Sequence, residues 1–134
     1  MPGRRLRSAA IALLLVAGLA AGCGTDGPRR VEIVIHYSTF EPVAVSVPRG
    51  VPITFVLVNQ DPIDHEWLIG DAAFHERHRS GTEAQHGQRP SEVSLPPLTT
   101  VETTLTFSEP GTILYICHFP RHEDYGMVGT LTVT

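Results

Sequence analysis

The stretch Tyr115–Val133 reads YICHFPRHEDYGMVGTLTV. It follows a nearly continuous apolar run and ends that run on Cys117. Four residues separate Cys117 from His122, and four more separate His122 from Met127. MVGTLTVT then alternates apolar and polar residues, as a half-buried strand does. A loop held between two strands can fold a thiol, an imidazole and a thioether toward one point at the end of a sheet. Thiolate, imidazole and thioether make a soft donor set, suited to copper in both oxidation states.

Working outward, the rest of the chain from Val31 is also β in pattern. VEIVIHY, VAVSV and VETTLTF alternate, ITFVLVN and TILYIC are longer apolar runs, and Trp67–Ile69 is a short one. Short strands punctuated by Gly, Pro and Asn predict an all-β fold, an antiparallel Greek-key β-sandwich or barrel of about seven to eight strands. Residues 71–100 differ, being polar, rich in His and Pro, and without a strand pattern. They predict a partly helical or irregular insertion, with about two helical turns opening near Asp71. A connection of that length inside a compact domain is usually functional or mobile.

The first residues carry Arg4, Arg5 and Arg7, then an uncharged apolar stretch from Ala9 to Gly22. That is short for a membrane span and fits a secretory leader. Leu19-Ala20-Ala21-Gly22-Cys23 is similar to a bacterial lipobox. Residues 1–22 are therefore expected to be a lipoprotein signal peptide, with Cys23 lipidated and anchoring the chain to the outer face of the cell membrane or in the periplasm. Ordinary cleavage that leaves Cys23 a free thiol is the alternative. Residues 23–30 read as a tether, and residues 31–134 as one domain. Without the leader arginines, seven Arg and no Lys face fourteen acidic residues, a formal charge of −7. An acidic exported domain excludes the phosphate-neutralising mode of nucleic-acid binding. Cys117 would then be the sole thiol of the mature chain, and exported proteins usually pair their cysteines. A buried small hydrophobe, a metal-bound thiolate and a nucleophile are its three readings.

A trigonal copper site needs a second histidine. His65, in NQDPIDHEW, follows a loop and opens a strand, so it too belongs at a pole of the sandwich. With FEPVAVSVPRGVPITFVLVNQD, the isolated His65, and Cys117, His122 and Met127 followed by Gly129 and a last strand, the chain from about Val31 to Thr134 resembles the cupredoxins, blue-copper domains of the plastocyanin and azurin type. The Cys-to-His gap is similar to that of azurins and the His-to-Met gap to that of plastocyanins. The resemblance implies one type 1 copper ion, with His65, Cys117 and His122 in a trigonal plane and Met127 as a weak axial ligand. HEWLIGDAAFHERH and CHFPRHEDYGM also look like exported bacterial cupredoxins with a His-bearing insertion. Zinc is the metallic competitor, although Met is an unusual zinc ligand.

His118 is expected to point opposite to Cys117, exposed or just outside the ligand shell. His75 and His78 share a helix face at a spacing of three. With His86 they could form a weak second metal site, but the spacing lacks a ligand pattern and a solvated loop is the preferred reading. His36 has no assigned role, and Phe55 and Trp67 are expected in the core. Asp61, Asp64, Glu123 and Asp124 make the metal pole acidic, either by plain solvation or as a docking rim for a basic redox partner. The implied function is one-electron transport without catalysis, by a monomer serving a cytochrome or oxidase. A copper-binding or delivery protein for copper tolerance or oxidase assembly is the alternative, and a metal-free interaction module a distant third.

Overall fold

The computed structural model describes residues 29–81 and 89–134. The leader, Cys23 and most of the tether lie outside the described residues, as does His86. The described chain folds into nine strands and one helix: β1 Arg29–His36, β2 Thr39–Glu41, β3 Ala44–Val47, β4 Ile53–Asn59, β5 His65–Gly70, α1 Ala72–Ser80, β6 Glu92–Leu95, β7 Thr100–Leu105, β8 Gly111–Ile116 and β9 Val128–Val133. β1 starts at Arg29, two residues before the expected start of the domain at Val31.

The strands form two sheets, one ordered β2-β1-β4-β7 and the other β3-β9-β8-β5-β6. Their facing surfaces bury Ile33, Ile35, Phe55, Leu57, Trp67, Tyr115 and Leu131, which makes the sandwich that alternation predicts. Phe55 and Trp67 meet across it with ring centroids 4.9 Å apart. Two expectations need correction. The sandwich is mixed rather than antiparallel, because β1 pairs with β4 and β3 with β9 in parallel. The cause is that β3 lies in the second sheet, so the chain re-enters the first running the same way as β1. The strand count is also higher, since β2 is only three residues long and β6 lies within the segment that lacked a strand pattern.

β5 is buried on both faces, so its residues do not alternate in exposure. One face meets the core, and α1 covers part of the other. Asp71 caps α1 by accepting the backbone N–H of Phe74 at 2.7 Å, as its place before the helix predicts. Phe74 lies so close over Gly70 that a Cβ there would fall 2.5 Å from its ring. Opposite β8, the Tyr115 ring occupies the place of a side chain on Gly129, its strand partner. Its hydroxyl donates to the Pro42 carbonyl at 2.6 Å, and burial raises the phenol to about 12.

Candidate metal centre

Register brings the donors together. β5 runs antiparallel to β8 with Leu68 opposite Ile116, so one step further Trp67 faces Cys117 at the sheet end. β8 pairs with β9 with Ile116 opposite Val128, and the Cys117 N–H continues that ladder to the Met127 carbonyl at 3.2 Å. The intervening loop folds back on itself, Met127 N–H donating to the His122 carbonyl at 3.0 Å. Strand ends thus set the spacing of His65, Cys117 and Met127, and a tight loop returns His122 among them.

One donor atom from each of His65, Cys117 and His122 falls within 4.8 Å of the other two. Nδ1 of His122 stands 3.2 Å from the Cys117 sulfur. The His65 and His122 ring centroids are 5.0 Å apart. His65, Cys117 and Met127 are wholly buried, whereas His122 keeps an exposed edge.

The surroundings orient these groups as metal ligands are oriented. Nε2 of His65 lies 2.9 Å from Asp61 Oδ2. The carboxylate accepts that proton, which leaves Nδ1 as the lone-pair nitrogen, buried and without a partner among the described residues. Such a nitrogen is costly to bury unless something binds it. Burial pushes the Cys117 thiol up to about 11, against which the backbone N–H groups of Phe119 and Glu66 point at its sulfur. Those N–H groups would stabilise a thiolate once a cation has displaced the proton. Burial, then the neighbouring His65, lowers the pKa of His122, which favours the neutral form that binds metal. A thiol sulfur, two imidazoles and a thioether fit copper and leave zinc poorly served.

A family model described as a cupredoxin-like domain matches residues 7–133. The chain belongs to the cupredoxin-like family. The copper-resistant cuproprotein CopI of Pseudomonas aeruginosa is 30% identical, over 78% of this chain and 76% of its own length. Auracyanin B superposes with a TM-score of 0.67 at 26% identity, covering 81% of this chain and 91% of its own. Auracyanin A, a blue copper protein of Chloroflexus aurantiacus, gives 0.63 at 26% identity over 81% of this chain and all (100%) of its own. In this cupredoxin, His65, Cys117, His122 and Met127 are arranged as a type 1 copper site.

Other histidines are placed differently from expectation. His118 does point away from the copper side, but it is not exposed. Its side chain is only 5% accessible because α1 lies over it. His75 is wholly buried rather than part of a solvated loop. Its Nδ1 lies 2.9 Å from His118 Nε2, and His78 stacks beside His118. The acidic pole is also partly internal. Asp61 is buried, and Glu123 is engaged by Arg79 and His118, so Asp64 and Asp124 are the acids left exposed.

Two supporting residues were not singled out from sequence. Glu66 is buried at the metal end of β5 and accepts the His118 backbone N–H at 2.8 Å. Asn59 donates to the carbonyls of Ile63, Leu95 and Pro96 and so braces the loop before His65. An acidic residue directly after a candidate ligand was the available signal for Glu66. For Asn59 there was only a polar residue closing an apolar strand.

Proposed function

We propose that this cupredoxin is a one-electron carrier, exported and tethered to the membrane through lipid on Cys23. One observation carries the reading: three donors are sealed in the core, and the fourth, His122, alone keeps an edge toward solvent. Copper, when bound, supplies the one-electron couple. His65, Cys117 and His122 would hold the ion, with Met127 as a weaker fourth donor. Three of the four are buried and Asp61 holds His65 in orientation, which limits rearrangement between oxidation states and favours fast exchange.

The surface around His122 suits docking. Tyr37, Ile63, Leu98 and Tyr125 are each 47–83% exposed. Asp61 and Asn59 gather three of their loops, Asp61 binding the Tyr37 N–H through its carboxylate and the Leu98 N–H through its carbonyl, and Asn59 holding the Ile63 carbonyl. Tyr125 stands on the ligand loop itself. An apolar rim with the peripheral Asp64 and Asp124 suits a transient contact with a redox protein carrying basic groups. No helix among the described residues is long and apolar enough to cross a membrane.

The second reading is copper handling for tolerance, favoured by the likeness to CopI over most of both chains. Two measurements on copper-loaded protein separate the readings: Cu(I) loss to a competing chelator, and electron exchange with a soluble cytochrome. Retained copper with rapid exchange supports the carrier. Rapid metal transfer with negligible electron exchange moves the assignment to copper handling. Mass spectrometry of the mature protein tests the anchor, and an unmodified Cys23 removes it.

A further inference from the structure

Behind the type 1 centre, α1 and the ligand loop enclose a second set of imidazoles. His75 and His118 face each other with Nδ1 and Nε2 2.9 Å apart. Their outer nitrogens are already engaged. His75 Nε2 lies 3.1 Å from the Leu114 carbonyl, and His118 Nδ1 lies 3.3 Å from a Glu123 carboxylate oxygen. Glu123 is held in turn by Arg79, whose Nη2 is 2.6 Å from it.

Count the protons. Two neutral imidazoles bring two N–H groups, yet the chain Leu114 O, His75, His118, Glu123 has three contacts to serve. Leu114 takes one proton and the hydrogen bond between the rings takes the other, so His118 Nδ1 faces Glu123 at 3.3 Å without a proton to give it. Moving the bridging proton to His118 Nδ1 would give Glu123 its donor and turn both inner nitrogens into lone pairs aimed at one point. A ligating histidine characteristically donates its other N–H to a carbonyl or carboxylate, and His65 with Asp61 shows the same arrangement at the type 1 centre.

We propose that His75 Nδ1 and His118 Nε2 form a second metal site, selective for Cu(I), distinct from the type 1 centre. Two imidazoles opposed across one point offer linear two-coordination. Cu(I) accepts this, whereas Zn(II) requires four donors. Metal–imidazole bonds of about 2 Å require the two nitrogens to part to roughly 4 Å, a movement of α1 against the loop. No proton has to leave the pair, since the bridging one can move to His118 Nδ1, which faces the Glu123 carboxylate. His78, one turn further along α1 and half-buried, lies parallel to His118 with ring centroids 6.0 Å apart. Its Nδ1 is 2.8 Å from the Phe74 carbonyl. The site stands whether the type 1 centre carries electrons or delivers copper.

The test is an anaerobic titration of the full chain with Cu(I) against a Cu(I) chelator, together with copper-edge anomalous diffraction from crystals given two equivalents. Two equivalents should bind, with one anomalous peak between His75 and His118 and another at the type 1 site. His75→Gln should fall to one equivalent while keeping the visible band of the Cu(II) type 1 centre. A single equivalent in the unaltered protein, or two retained by a His75→Gln protein with its band intact, overturns the site. Should the variant not fold, anomalous diffraction from the unaltered protein decides, and the lack of a peak between the imidazoles is fatal. Failure of the type 1 reading would show separately, as a missing visible band with the second peak present.

Discussion

His65 and Asp61 lie four residues apart and are joined at 2.9 Å, and the same carboxylate receives the backbone N–H groups of Tyr37 and Ser38 at 2.8 Å each. One buried acid therefore fixes both the tautomer of a copper ligand and the turn between β1 and β2. Burial works to raise the pKa of Asp61, but the N–H groups of Ser38 and Tyr37, and then His65, outweigh it and hold the carboxyl below its usual range. It stays an acceptor on three sides.

Replacing Asp61 with Asn should loosen both ends. An amide offers one acceptor oxygen, and its NH2 would face donors. Copper affinity is expected to drop about 10- to 100-fold, the usual cost of losing a group that orients a ligand. A competition titration with a copper chelator measures it. An affinity equal to that of the unaltered protein would show that Asp61 does not orient His65.

Cys117→Ser should remove the intense visible absorption of the Cu(II) protein. That band needs the covalent overlap of a thiolate, and a serine hydroxyl is a hard, weakly donating substitute. Persistence of the colour in the variant would mean that another donor is responsible.

Met127→Leu should keep copper and colour but shift the reduction potential, since a weak axial donor tunes the ion more than it holds it. His65→Ala and His122→Ala should instead open or empty the site. Metal content by elemental analysis and potential by voltammetry separate the cases. Equal copper loss in all three variants would contradict the axial role.

Copper removal should lower thermal stability, because binding only to the native state stabilises it by mass action. At a thousandfold excess over Kd that is about 4 kcal/mol. For a domain of this size the melting temperature should change on the order of 15 °C. Calorimetry with and without copper reads the difference, and coincident melts would show that native and unfolded chains bind copper alike.

Gly129→Ala should be damaging although the change is one methyl group. Its Cβ would sit 2.1 Å from the Tyr115 ring, inside any allowed contact. The ring is walled in by the core and tied to Pro42, so it has nowhere to retreat. A loss of about 1–3 kcal/mol is expected from overpacking, and denaturant unfolding measures it. A neutral outcome would require the strands to part more readily than the buried core suggests.

Period-two alternation made β1, β3, β7 and β9 legible, because each has one buried and one wetter face. It was silent on β6, where a buried Glu92 stands beside a buried Val93 and breaks the alternation, and on parallel pairing, which depends on where the chain crosses between sheets. The ligand loop was legible because soft donors at two equal gaps between strands leave few other uses for a lone cysteine in a chain whose leader reads as an export signal. For His118 the direction was legible and the cover was not: alternation gives the direction of a side chain but not what lies there, and α1 buries it.

The sequence by itself determined the donors and the strand that returns from them, since those properties reside in residue type and local spacing. Only the tertiary structure decided that Asp61 lies under His65, that Glu66 links β5 to the loop, and that His75 meets His118. Those pairs join segments separated in sequence or turned by a loop, and their contacts follow from strand register and the seating of one helix. No local pattern encodes either.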